Sequence, residues 1–267
     1  MASLGWLMFG VHRAAGGRWL TGAAIFGLAA GFVGLIKPYV LFPFVLAGGQ
    51  YIYGIRAPAG HAPVRGKHFA LAIIGVTLAV VGVTLLGTLF PRYAVDTLGD
   101  QTRQAQLGAS LEEGNSNYSL GDVPDSPTQQ LAVAPLAFLT ALFRPLPFEA
   151  TGATSFICSL ETVTLLLLAG AAFLRRSPRA TWALVRRTPL LTFSLLYTLL
   201  FGTAVGLTTL NFGTLSRYRV PLMPFYVALI LALNERRAVA TEADAPEASL
   251  EGAHSIPKPR YRRHKRA

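Results

Sequence analysis

The stretch NFGTLSRYRVPLMPF (211–225) sets two arginines, Arg217 and Arg219, on either side of Tyr218, with Pro221 and Pro224 close behind. In an extended backbone, side chains two apart share a face, so both guanidinium groups would point the same way. Two such donor forks suit a phosphate or diphosphate. The pair could instead anchor a helix end by snorkelling toward lipid phosphates. Tyr218 fits either role, because tyrosine favours membrane interfaces. A third arginine, Arg144, shares LFRPLPFE (142–149) with Glu149. Prolines stop a helix there, which leaves a turn with an exposed ion pair or a second phosphate contact. Glu161 lies inside SFICSLETVTLLLL. An ionised acid costs about 3 kcal/mol at mid-bilayer, so Glu161 needs a cation, and these arginines are the ones at hand.

The segment 91–130 adds Asp96, Asp100, Glu112, Glu113, Asp122 and Asp125 against only Arg92 and Arg103. Such acids could supply a general base for a sugar hydroxyl, or oxygen ligands for a divalent metal, though no compact ligand motif is visible. No single acid is assigned the catalytic role, and no metal ligand is assigned. Walker A, GxGxxG, HExxH, paired CxxC and GxSxG motifs are all missing from the sequence, so neither an ATPase nor a dinucleotide site is expected. The single cysteine, Cys158, cannot form an intrachain disulfide.

The elements that must position these residues are apolar. The chain has 267 residues, 52% apolar and 14% charged, where soluble domains carry about 25% charged residues. Apolar runs recur as continuous stretches rather than alternating ones, which favours helical spans over a β-barrel. The expected fold is therefore all-α and polytopic. Six spans are read at about 19–36, 39–55, 69–90, 154–174, 189–210 and 220–233. Residues 1–18 read as an interfacial helix or the tail of a longer one.

Charge orients the spans. The loops 56–67 and 175–187 and the tail 235–267 hold 3, 5 and 8 Lys/Arg. The positive-inside rule places all three in the cytoplasm. The run 131–143 is only 13 residues long. Read as a re-entrant or interfacial element on the outer side, it keeps the 175–187 loop inside. Both termini are then cytoplasmic, and 18 Lys/Arg lie inside against six outside. The net charge of +11 is accounted for by topology and a basic, disordered tail, so nucleic acid is not an expected partner. Membrane lipids are.

On these residues the chain resembles bacterial integral membrane proteins of polysaccharide gene clusters, related to GT-C-type glycosyltransferases of the dolichyl-phosphate-mannose-protein mannosyltransferase kind. Three blocks carry the resemblance. One is the Asn-x-Gly-Thr-Leu-x-Arg-x-Arg of 211–219. The second is ALFRPLPFE (141–149), with Phe148 where tryptophan is usual. The third is GLIKPYVLFPFVLA (34–47), with Lys37 where arginine is usual. The resemblance implies a bacterial inner-membrane protein of surface-glycan assembly. It implies sugar transfer from a polyprenyl-phosphate carrier on the outer face, with Arg217, Arg219 and Arg144 on the phosphate. Asn211, Tyr218, Glu149 and Glu161 would support them. Such enzymes carry a catalytic acid on their first outer loop, and here the first outer turn is only Lys37-Pro38. The chain thus begins where the family is already several helices in, as a shortened or split member would. The alternatives are a non-catalytic membrane subunit of a glycan-assembly complex, with a partner membrane subunit, and third a transporter or flippase.

Overall fold

The computed structural model of the chain describes residues 2–56, 103–104, 107–108, 118, 127–150 and 152–235. Nine helices of seven residues or more are described: α1 (Ala2–Ala15), α2 (Trp19–Ile36), α3 (Leu41–Arg56), α4 (Pro127–Phe143), α5 (Ala153–Arg175), α6 (Pro178–Arg187), α7 (Pro189–Thr208), α8 (Phe212–Tyr218) and α9 (Met223–Asn234). Among the described residues there is no β-strand. The expected span 69–90, the loop 57–67, most of 91–126 and the tail beyond Glu235 lie outside the described residues.

Three helices, α2, α5 and α7, are long and apolar enough to cross a membrane. They run for 18, 23 and 20 residues, against the roughly 20 that a hydrocarbon core of about 30 Å requires. Large apolar side chains stand exposed along α2 (Leu28, Phe32, Leu35) and α5 (Ile157, Leu167, Phe173, Leu174). Faces of this kind suit lipid rather than water. The runs read as spans from 39 and 220 each begin with a 3-10 turn, Pro38–Val40 and Val220–Leu222. The cause is local: Pro38 and Pro221 cannot donate to the preceding turn. The helices that follow, α3 and α9, are 16 and 12 residues long.

α3 and α7 run antiparallel and form the centre. Tyr39 meets Phe201, Phe44 meets Tyr197 and Tyr51 meets Phe193, with ring centroids 5.9–6.2 Å apart. Phe225 of α9 closes the cluster, 5.0 Å from both Phe193 and Tyr197. Edge and offset contacts of this kind add to the area that the rings bury. α1 lies antiparallel along α2. A Cβ on Gly10 would stand 2.8 Å from the Phe26 backbone nitrogen, so only glycine allows that approach. The short first helix thus packs closely against its neighbour.

This pairing sorts the described charges to two ends. At one end α3 finishes at Arg56, and Gly54 packs on Pro189, the first residue of α7. His12 lies 2.9 Å from the Tyr51 hydroxyl there, and Arg175 donates to Asn234 across 3.3 Å. The other end gathers Lys37, the 144–149 turn and the residues 209–222.

Candidate functional site

α8 is short because its start is fixed by a cap and its end by a proline. The Asn211 side-chain oxygen accepts from the backbone N–H of Gly213 (2.8 Å) and Thr214 (3.3 Å), as a helix N-cap does. Pro221 follows two residues after Arg219 and ends regular helix there. The backbone of 212–218 is therefore helical rather than extended, and the shared direction expected for Arg217 and Arg219 does not occur. Residues two apart on a helix lie far round its axis from one another. Arg217 is exposed, and Arg219 is only 1% exposed.

Arg219 reaches into the bundle. Its Nη1 donates to the Thr162 hydroxyl (2.9 Å) and to the Arg144 carbonyl (3.2 Å). The Thr162 hydroxyl itself donates back to the Cys158 carbonyl at 2.9 Å, which fixes its lone pairs toward Arg219. Nη2 stands 3.6 Å from Glu161, an ion pair without a hydrogen bond. The cation near Glu161 is thus Arg219. The pair is lopsided, since the Glu161 side chain is 53% exposed.

Arg144 is engaged on three sides. Its guanidinium forks onto Glu149, and the other Glu149 oxygen accepts from the Leu146 N–H at 2.8 Å. The guanidinium carbon lies 5.1 and 5.0 Å from the rings of Tyr118 and Phe212, within cation–π range. Those rings stack on each other at 4.7 Å. Tyr118 is pinned to the end of α7: its N–H donates to the Leu210 carbonyl at 2.8 Å and its hydroxyl donates to the Thr209 carbonyl. Burial pushes the Tyr118 phenol up to about 12, against the opposing pull of that hydrogen bond and of Arg144. It therefore remains a proton donor at neutral pH.

Burial alone would raise the Glu149 carboxyl. The Arg144 fork and the Leu146 N–H outweigh it and hold the group below its ordinary 4.5. A lowered carboxylate stabilises the fold above the unfolded value and loses that contribution as pH falls through the folded value. Wild type should therefore be more stable than Glu149→Gln at pH 7. The gap should stay constant down to about pH 5 and close below the ordinary 4.5. Melting temperatures of the two proteins across pH 3–7 test this. A gap that persists at pH 3 would show that charge is not what Glu149 contributes.

Lys37 completes the cluster. Its ammonium lies 5.4 Å from the Tyr218 ring, and Tyr39 sits 6.1 Å from the same ring. The three separated blocks, 34–47, 141–149 and 211–225, thus meet at one end of the bundle, joined by Tyr118. Lys37 and Tyr118 were missing from the candidate residues. The signal for Lys37 was its place in the helix-breaking IKPY; Tyr118 offered none beyond lying in the outer loop. Among the described residues no three His, Cys, Asp or Glu side chains stand together as a metal site. No family model, curated protein or solved structure matches this chain.

Proposed function

We propose that this is a polytopic inner-membrane protein of bacterial surface-glycan assembly, whose outer end recognises the phosphate of a polyprenyl-phosphate sugar carrier. The observation that carries this reading is the division of labour among the cations. Arg219 is buried and Arg144 is held by Glu149, so both position the site. Arg217 is exposed, with no partner among the described residues. Lys37 stands 5.4 Å from the ring of Tyr218, the residue next to Arg217 in sequence. An exposed guanidinium and a lysine beside the neighbouring aromatic ring suit a lipid phosphate at headgroup level.

Parity supports the six-span topology. Tyr118 and Arg144 contact the same Phe212 ring, so the chain between them leaves and returns to one place. These shared contacts favour no net crossing between them, as a re-entrant or interfacial α4 would require. The opposite end gathers Arg13, Arg18, Arg56, Arg175, Arg176, Arg179, Arg186 and Arg187, which favours its being cytoplasmic. In a Cys158→Ala background, Phe148→Cys should react with a membrane-impermeant maleimide in intact cells and Ala183→Cys should not. External labelling of position 183 would reverse the orientation.

A non-catalytic subunit is the second reading. Of the acids described at the outer end, Glu149 is held by the Arg144 fork and Glu161 lies beside Arg219, and neither stands against the exposed Arg217. Deletion of the gene tests both readings. Loss of surface polysaccharide with accumulation of lipid-linked sugar is expected, and normal polysaccharide would rule both out. Complementation with Arg217→Lys should give folded protein with little restored polymer, because lysine keeps the charge and lacks the planar fork. Full rescue by Arg217→Lys together with Lys37→Ala would leave only membrane anchoring for these residues.

A further inference from the structure

At the opposite end of the bundle, α6 is an amphipathic helix docked by its apolar side. Ser177 caps it by accepting from the Ala180 N–H at 3.3 Å, and Pro178 takes the first turn, both favoured helix-start positions. Val185 packs against Leu191 and Leu229. The Thr192 hydroxyl donates to the Val185 carbonyl at 2.7 Å and fixes the far end. The exposed stripe that results carries Arg179, Trp182 and Arg186 at i, i+3 and i+7, with Arg187 beside it. Residues at that spacing lie on one face. None of these arginines has a partner among the described residues. The acids described elsewhere are Glu149 and Glu161 at the other end and Glu235 just past α9.

The stripe has an apolar border. Leu174 at the end of α5 and Leu190 at the start of α7 are exposed, and so is the Trp182 indole. Tryptophan beside cations at the end of apolar helices is the pattern of a bilayer interface. Arginine forks match phosphate oxygens in pairs. We infer that α6 is an in-plane helix that binds anionic phospholipid, with Arg179 and Arg186 on headgroup phosphates and Trp182 seated among the upper acyl carbons. The uncompensated positive charge favours an anionic headgroup over a zwitterionic one. The apolar border favours a lipid over a soluble anion.

The chain has three tryptophans, so Trp6→Phe with Trp19→Phe leaves Trp182 as the sole indole. The full chain carrying these changes is reconstituted in phosphatidylcholine vesicles containing brominated phosphatidylglycerol or, at equal mole fraction, brominated phosphatidylcholine. Stronger quenching of Trp182 by the brominated phosphatidylglycerol is expected, and raising the salt should shrink the difference. Arg179→Gln and Arg186→Gln should each lower the preference roughly fivefold, with the fold checked by circular dichroism of the same samples. Equal quenching by the two lipids, or no quenching by either, would overturn the proposal in the parent protein alone. A preference unchanged in the double glutamine variant would overturn it as well.

Discussion

Arg219→Leu is expected to lower stability by about 3–5 kcal/mol, because it removes two charged hydrogen bonds worth about 1.5–3 kcal/mol each and leaves their acceptors unpaired. Arg217→Leu should leave stability within about 0.5 kcal/mol of wild type, as exposed substitutions do. The difference follows from where α8 points the two side chains. Arg219 lies almost wholly inside and donates to Thr162 and the Arg144 carbonyl, with Glu161 beside it. Its loss strands Glu161, an oriented hydroxyl and a carbonyl at once. Lysine at 219 offers a single ammonium where the guanidinium spans two acceptors, so Arg219→Lys should lose about 1.5–3 kcal/mol, the worth of one charged hydrogen bond. The double variant Arg219→Leu/Glu161→Leu should recover little of the loss, because Glu161 is half exposed and the Arg219 hydrogen bonds are still missing. Equilibrium unfolding in mild detergent measures all four. If Arg219→Leu unfolds with wild type, the Arg219 hydrogen bonds contribute nothing and Arg219 is free to serve a ligand.

The fate of the two arginines shows what was legible in the sequence. Their grouping with Arg144 and Glu161 could be read, because each is a charge at the edge of an apolar run. Their directions could not, because the choice between extended and helical backbone turns on one capping side chain. Asn211 two residues before Gly213 was the available signal, an N-cap residue ahead of a short periodic stretch. The bounds of α2 and α7 were legible for a simpler reason. Each is an apolar run closed by a breaker, Lys37-Pro38 after one and Pro189 at the start of the other. Two of the shorter runs were harder, since a proline just inside the start converts the first turn to 3-10 and shortens the regular helix. The meeting of Lys37, Tyr118, Arg144 and Tyr218 spans some 180 residues of chain. No local periodicity encodes it; the antiparallel pairing of α3 with α7 does. That pairing depends in turn on which helices can approach closely, a property written in small residues rather than charged ones.

Gly206→Ala is expected to be among the most disruptive single-methyl additions in the bundle. A Cβ at Gly206 would run into the Ala137 carbonyl oxygen and stand 3.1 Å from the Ala137 Cα. Those are backbone atoms of α4, which no rotamer change can move aside, so the two helices would have to separate. Gly202, one turn earlier, faces the Phe138 ring edge at 3.2 Å, a side chain that can yield by a few tenths of an ångström. GTAVG (202–206) is therefore a small-xxx-small contact, met on α4 by the fully buried Ala137 and by Phe138. Close backbone approach of this kind is a main source of helix association within membranes. Overpacking a filled interface costs about 1–3 kcal/mol. Gly206→Ala belongs at or above the top of that range, Gly202→Ala near its bottom. Gly27→Ala, with nothing within 4 Å of its Cβ, should be neutral or slightly stabilising, since alanine suits a helix better than glycine by about 1 kcal/mol. The effect should extend to the candidate site. α4 ends at Phe143, and the next residue, Arg144, supplies both the Glu149 fork and the carbonyl that receives Arg219. Moving α4 outward pulls that carbonyl from Arg219, so Gly206→Ala should lose the proposed glycan-assembly function more steeply than its stability alone predicts. Thermal unfolding of the three alanine variants, set beside their complementation of the deletion strain, measures both parts. A Gly206→Ala protein as stable as Gly27→Ala would show that α4 and α7 do not pack through this glycine.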